Sequence, residues 1–294
     1  MKLGERFAIA PAGEPDLPGV MMLLDRVFVL PKQRAPSFAA RYPAVCASGD
    51  RSDVWVIKEH GVVTACAAVK YRTWRTMDRS FRLAMIGGVC TDPAARGRGM
   101  ASQLLAHADM AARERWSEAT VLWTTSGPFY ERLGWALDDP GLFGKVGGWR
   151  GADRATAGRL SVGPPTACAD QIERIRSAWL GEGIAREAVD YAAIPFPARS
   201  VDCLIADVSD HRAYALVGRE GPRGYVYEAV GSAQAFRSLW TGVCDRYPEV
   251  YVNDHAGGET ARWLNEHAHV EWQQRPLAMW RGTPRCSVPF FDRL

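Results

Sequence analysis

The stretch Val89-Cys90-Thr91-Asp92-Pro93-Ala94-Ala95-Arg96-Gly97-Arg98-Gly99-Met100-Ala101-Ser102-Gln103-Leu104-Leu105 decides the fold. An apolar run from Leu83 to Val89 leads into it, and a Pro-containing turn breaks that run. Behind Arg-Gly-Arg-Gly, apolar residues recur at Met100, Leu104, Leu105, Ala108, Ala112 and Trp116. The pattern predicts strand, basic glycine loop, helix. The first N–H groups of a helix have no internal partner and, with the macrodipole, carry about half a positive charge, so an anion is stabilised there. Gly97 and Gly99 keep side chains off the backbone, Ala101 keeps the first turn low, and Arg96 and Arg98 add forked donors suited to phosphate oxygens. Two other phosphate loops do not fit: no Gly-Lys-Ser/Thr ending is present, and Ser102 stands where a dinucleotide fingerprint needs its third glycine.

Arg96-Gly97-Arg98-Gly99-Met100-Ala101 fits Arg-x-x-Gly-x-Ala and resembles the acyl-coenzyme-A pyrophosphate loop of the GNAT superfamily of N-acetyltransferases. Downstream, the β-rich run Ala119 to Thr125 precedes Ser126-Gly127-Pro128-Phe129-Tyr130-Glu131-Arg132-Leu133-Gly134-Trp135, which is similar to the superfamily's F-Y-x-x-x-G-F segment. The motif match covers residues 54 to 137. It implies an α/β fold with a mixed (α+β) sheet, acetyl-CoA as cosubstrate, and transfer of its acetyl group to an amine by direct attack. On this resemblance the backbone of Gly88, Val89, Cys90 and Thr91 would hold the pantetheine arm, with an N–H near Val89 polarising the thioester carbonyl. Arg96, Gly97, Arg98, Gly99, Met100, Ala101 and Ser102 would hold the pyrophosphate. Ser126 departs from the pattern, because many members carry an asparagine at this point.

Tyr130 matches the superfamily tyrosine that protonates the leaving thiolate, and an ordinary tyrosine pKa near 10 keeps its hydroxyl protonated at neutral pH. No carboxylate announces itself as the base. Asp25, Asp78 and Asp92 are candidates, each with a capping or surface role as the competing reading. A resemblance to tandem acetyltransferases of the enhanced-intracellular-survival type adds the carboxylate of Leu294, at the end of the aromatic tail Pro289-Phe290-Phe291-Asp292-Arg293-Leu294. Cys90 has no histidine beside it in the sequence, so packing is preferred over a covalent acetyl-enzyme.

Ahead of the loop, Arg6 to Ala10 reads as a strand. Leu17 to Leu30 reads as a helix capped by Asp16, and Ser37 to Val45 as a second helix. In the superfamily these helices border the acceptor, which makes Asp25, Arg34, Phe38 and Tyr42 candidate contacts, Phe38 being read first as core. Val54 to Lys58 and Val62 to Tyr71 flank a hairpin turn, and Leu137 to Val146 is expected to close the first unit.

The 294 residues suit two domains, and 47% apolar content is ample for two cores. We expect a GNAT domain over 1–149, a Gly-, Ala-, Arg- and Pro-rich linker over 150–169, and a degenerate second copy over 170–294. Its Gly231-Ser232-Ala233-Gln234-Ala235-Phe236 replaces the phosphate loop, and Trp263 matches Tyr130 only loosely. A net charge of +3, from 36 basic and 33 acidic residues without a long like-charge block, gives no case for nucleic acid or an anionic membrane. Seven cysteines with no C-x-x-C, and six histidines without metal spacing, suggest neither a disulfide framework nor a metal site. No signal core or membrane span is seen, and a cytoplasmic setting is expected.

The reading preferred on sequence is an N-acetyltransferase for a small-molecule amine, in which the second half walls the acceptor pocket or pairs subunits in a homodimer. The alternatives are a non-catalytic acyl-CoA-binding regulator, a protein or peptide N-acyltransferase, and transfer of a longer acyl group.

Overall fold

The computed structural model describes residues 6–35, 37–43, 52–149 and 158–293. Two compact units emerge, one within residues 1–137 and 278–285, the other within 138–277 and 286–293.

In the first unit the sheet runs in the order β1 (Ile9–Pro11), β2 (Ser52–Glu59), β3 (Val62–Arg75), β4 (Ser80–Thr91), β5 (Ala119–Trp123), β15 (Ala278–Gly282), β6 (Ala136–Leu137). His60 and Gly61 turn β2 into β3 with φ of 50° and 79°, the left-handed pair that suits a two-residue hairpin. β4 and β5 are parallel, but their register ends at Met85↔Val121, whereas β4 runs on to Thr91. The two strands therefore part at the end where the glycine loop begins. Helix α3 (Met100–Glu114) lays Leu105, Ala108 and Ala112 on Val69, Tyr71, Ala84 and Ile86. Each such fully buried leucine contributes about 1.5–3 kcal/mol.

The second sheet runs β8 (Arg159–Gly163), β10 (Ser200–Val208), β11 (His211–Glu220), β12 (Arg223–Gly231), β13 (Glu249–His255), β7 (Gly141–Trp149), β14 (Ala268–Gln274), and the two-residue β9 (Gly183–Ile184) lies outside this order. Place for place it repeats the first sheet, including a parallel fifth strand whose register with β12 ends at Val226↔Val252 while β12 continues to Gly231. Helix α5 (Pro165–Trp179) covers one face, while α6 (Ala233–Arg246) and α7 (Glu259–His267) cover the other.

The sixth place in each sheet is filled from the other half of the sequence, so the two copies exchange strands. β7 pairs with β13 and β14. Its Val146 and Trp149 pack on the Trp240 and Trp263 cluster, and Phe143 stacks on Tyr251 at 5.4 Å. β15 pairs with β5 and β6, with Met279 and Trp280 buried. Arg281 of β15 donates to the buried Asp109 of α3 at 2.9 Å, and Asp109 also accepts from Thr120 at 3.0 Å.

On the α5 face of the second sheet lies a buried polar cluster. Arg186 donates twice to Asp292, at 2.7 Å each, and once to Glu228 at 2.7 Å, and Tyr214 donates to the same Glu228 oxygen at 2.8 Å. Burial alone would lower the guanidinium pKa, but the two carboxylates outweigh it and hold Arg186 charged. The tail is thus tied down within the second unit, with Phe290 stacked on Tyr227 at 5.3 Å and Phe291 in the core.

Several sequence expectations are corrected. The segment Gly141–Trp149 completes the second sheet and not the first unit, so the boundaries at 149 and 170 do not follow the compact units. Within the expected linker, 150–157 lie outside the described residues, Arg159–Gly163 is an edge strand paired with β10, and α5 already starts at Pro165. The expected helix Leu17 to Leu30 is α1 (Leu17–Leu24), then a π-helical turn at Asp25–Val29 and a 3-10 turn at Leu30–Lys32. Asp16 makes no side-chain cap to α1; it accepts instead from Gly13 N–H and pairs with Lys58. The second helix is α2 (Phe38–Arg41), and 44–51 lie outside the described residues.

Candidate active site

The site is built where β4 leaves β5 and turns into α3. Asp92 opens the turn as cap of Pro93–Ala95, accepting from Ala94 N–H at 3.0 Å, and pairs with Arg26 at 2.6 Å. The Ala94 hydrogen bond and the neighbouring cations hold its carboxyl below the ordinary aspartate range, so it stands as a fixed anion and not as a proton acceptor near neutrality. Gly97 and Gly99 follow with φ of 83° and 87°. Open space surrounds a would-be Cβ at either one, so the backbone conformation, and not crowding, is what selects glycine there.

α3 starts with Gly99 as N-cap and no side-chain cap, its first internal bond running from Gln103 N–H to Gly99 C=O at 3.2 Å. The N–H groups of Met100, Ala101 and Ser102 precede that bond and sit at the positive end of the helix. The Met100 side chain is buried in the core, so its backbone is what it can offer a ligand. Arg98 is held ready by a bidentate pair with Glu59, at 2.8 and 2.9 Å, and by the ring of Phe7 at 5.1 Å. Arg96 lies exposed, its Nε 3.4 Å from the Thr91 carbonyl.

Along β4, Gly88 has φ +59°, and a Cβ there would lie 3.0 Å from Leu24 of α1. Val89 packs against the α3-side core, and Cys90 is buried opposite Cys66 of β3. Tyr130 lies on the short helix α4 (Gly127–Glu131), edge-on to Phe129 at 4.9 Å, and packs against the same core cluster as Val89. Burial raises its pKa above the ordinary 10, with a hydrogen bond to Thr124 pulling the other way, so the hydroxyl keeps its proton. Ser126 occupies the N-cap position of α4 without a side-chain cap bond, and its N–H donates to Thr124 at 2.9 Å.

Of the other candidates, Asp25 accepts from the N–H groups of Ser37 and Phe38 at 2.9 and 3.0 Å, which makes it the anchor of α2. Phe38 is core, its ring tilted against those of Phe28 and Tyr42 at 6.4 and 5.1 Å. Asp78 lies exposed in the β3–β4 turn, away from the parting of β4 and β5, and Arg34 follows the 3-10 turn in a half-buried stretch. Leu294 lies outside the described residues. Sequence reading missed Glu59 and Phe7, which meet Arg98 from far away in the chain and carry no local signal, and Thr124, which meets its near neighbours Ser126 and Tyr130. Among the described residues no group of three or more His, Cys, Asp or Glu is arranged to hold a metal, and no helix is long and apolar enough to cross a membrane.

Residues 8–137 match the family described as an acetyltransferase (GNAT) domain. No curated protein matches the sequence. Among solved structures, the chain is similar to a probable N-acyltransferase of unknown function from Enterococcus faecalis V583, with 15% identity, TM-score 0.72, and coverage of 94% of this chain and 72% of that one. It is also similar to a GCN5-related N-acetyltransferase from Anabaena variabilis, with 14% identity, TM-score 0.69 and the same coverage. A third likeness is to Eis1 from Mycobacterium abscessus, at 14% identity and TM-score 0.63, covering 94% and 73%. At these identities the likeness is one of fold, and it extends over both halves.

Proposed function

We propose that the chain is an N-acetyltransferase that moves the acetyl group of acetyl-CoA to the primary amine of a small molecule. The observation that carries this reading is the uncapped start of α3, opened by left-handed Gly97 and Gly99, flanked by Arg96 and Arg98, at the point where β4 and β5 part. The cradle fits a pyrophosphate: free helix N–H groups, two cations, and no side chain over the two glycines. Acetyl-CoA supplies the thioester acyl group. Arg96, Arg98 and the first turn of α3 hold its phosphates, the edge of β4 at Gly88 to Thr91 aligns the arm by backbone hydrogen bonds, and Ser126 closes the far side. An N–H at Val89 faces charge developing on the carbonyl oxygen.

Tyr130 holds a proton on Oη and delivers it to the departing sulfur, whose conjugate acid is near 8.5 if it behaves like a cysteine thiol. The amine loses its proton to water, since the carboxylates at Asp25 and Asp92 are committed to caps. The second half is a degenerate copy that binds no coenzyme, because the helix corresponding to α3 is closed by Ser232. Calorimetric titration with acetyl-CoA tests this reading: one site per chain is expected, weakened about tenfold or more in Arg98→Ala. Two sites would refute the degenerate second copy, and no binding would refute the acetyl-CoA assignment.

A further inference from the structure

Cys66 and Cys90 stand directly opposite each other on β3 and β4, and their sulfurs are 3.5 Å apart. Both thiols are reduced and buried, at 1% and 4% exposure. We propose that this pair is a reversible dithiol–disulfide site whose oxidation weakens coenzyme binding at the first copy. The assignment to the coenzyme rests on the function proposed above; the assignment of the pair as an oxidation site rests on geometry alone.

The pair sits beside an irregular point of the β3–β4 ladder. The β3–β4 register slips by a bulge between Cys66 and Ala68, Gly88 is in the left-handed region, and the Cys66 sulfur lies 3.6 Å from the Gly88 carbonyl. A disulfide needs its sulfurs at about 2.05 Å, so they must close by about 1.5 Å. That closure draws Cys90 toward β3, and it drags on Gly88, where a Cβ would lie only 3.0 Å from Leu24 of α1. The segment displaced, Gly88 to Cys90, is the one whose backbone is read above as aligning the arm of the coenzyme.

A small peroxide supplies the oxidant. One thiol of the pair gives up its proton and attacks a peroxide oxygen; the O–O bond breaks, and the departing hydroxide takes up that proton, so a sulfenic acid and water form. The second thiol then attacks the sulfenic sulfur, its proton leaves with the hydroxyl as a second water, and the S–S bond closes. Overall, two thiols and one hydrogen peroxide give one disulfide and two waters. A dithiol reductant reverses the step by exchange.

The test uses the full chain, reduced and then treated with hydrogen peroxide. Peptide mapping without reductant should link the peptides bearing Cys66 and Cys90, and acetyl-CoA titration of the same sample should show about tenfold weaker binding. Dithiothreitol should restore both. Cys66→Ala, with Cys66→Ser as its substitute if the alanine protein does not fold, should bind acetyl-CoA normally before and after peroxide. Failure to form the linked peptide, or a linked protein with unchanged affinity, overturns the proposal. If the reduced protein binds no acetyl-CoA, the functional reading fails and takes the coenzyme effect with it. The linked peptide still reports separately whether the two sulfurs pair.

Discussion

The two copies carry the same sheet and the same long helix after the fourth strand, yet the starts of those helices differ in every respect that matters to an anion. α3 begins at an exposed, left-handed Gly99 with no side-chain cap. α6 begins at Ser232, which is fully buried, accepts from Ala235 N–H through its hydroxyl at 3.2 Å, and donates its own N–H to Arg212 at 3.0 Å. Before it, Gly231 is still paired with Ala213 in the ladder, and a Cβ there would collide with the Ala213 Cα, whereas open space surrounds the corresponding position at Gly99. One fold therefore supports an open anion cradle or a sealed helix end, and a handful of residues at one turn decide which.

The far face sharpens the contrast. In the second copy it is filled by Arg186, Glu228 and Asp292, a cluster that serves structure. Arg186→Met takes from two buried carboxylates the cation hydrogen-bonded to both, and should cost about 3–5 kcal/mol of stability. The readout is denaturant unfolding, and a loss below about 1 kcal/mol would show that the cluster does not hold the tail.

A smaller effect is expected in the first copy, and on rate instead of stability. Tyr130→Phe should lower kcat at least about tenfold, or about 1.4 kcal/mol, with acetyl-CoA affinity nearly unchanged. The acting form is the protonated one, and burial raises its pKa. Turnover that depends on it should therefore persist through the ordinary tyrosine pKa and fall only at higher pH. A kcat–pH profile of wild-type enzyme that falls well below pH 10 would assign that limb to another group.

The smallest change tests the comparison most directly. Ser232→Ala removes the cap of α6 and should cost about 1 kcal/mol in stability while leaving acetyl-CoA stoichiometry at one per chain. Appearance of a second site in calorimetry would mean that the serine cap alone seals the second copy.

Much of this was legible in the sequence. The glycines at 97 and 99 and the arginines beside them announce the cradle, and Gly231-Ser232 announces its loss, because both are local effects of backbone conformation and capping. The strand exchange was not legible. Gly141–Trp149 reads as a strand from its own residues, but which sheet takes it depends on how Val146 and Trp149 fit Trp240 and Trp263, about a hundred residues away. Arg159–Gly163 alternates Leu160 and Val162 with Arg159 and Ser161, but as a short, largely exposed edge strand between Gly-, Ala- and Pro-rich segments it reads as linker. The cluster of Arg186, Glu228 and Asp292 joins residues far apart in sequence, each of which alone looks like a surface charge.

The exchange of β7 and β15 bears on how the protein is made. The ribosome releases the glycine loop, α3 and Tyr130 early, but the strand that lies between β5 and β6 arrives only with Ala278–Gly282, near the end of the chain. Until then the first sheet lacks its sixth strand, Asp109 lacks Arg281, and the edge of β5 is exposed to mispairing. The nascent first half is thus an unfinished product, and a chain that stops short of Ala278 cannot complete the first sheet, although every strand of the second is already present.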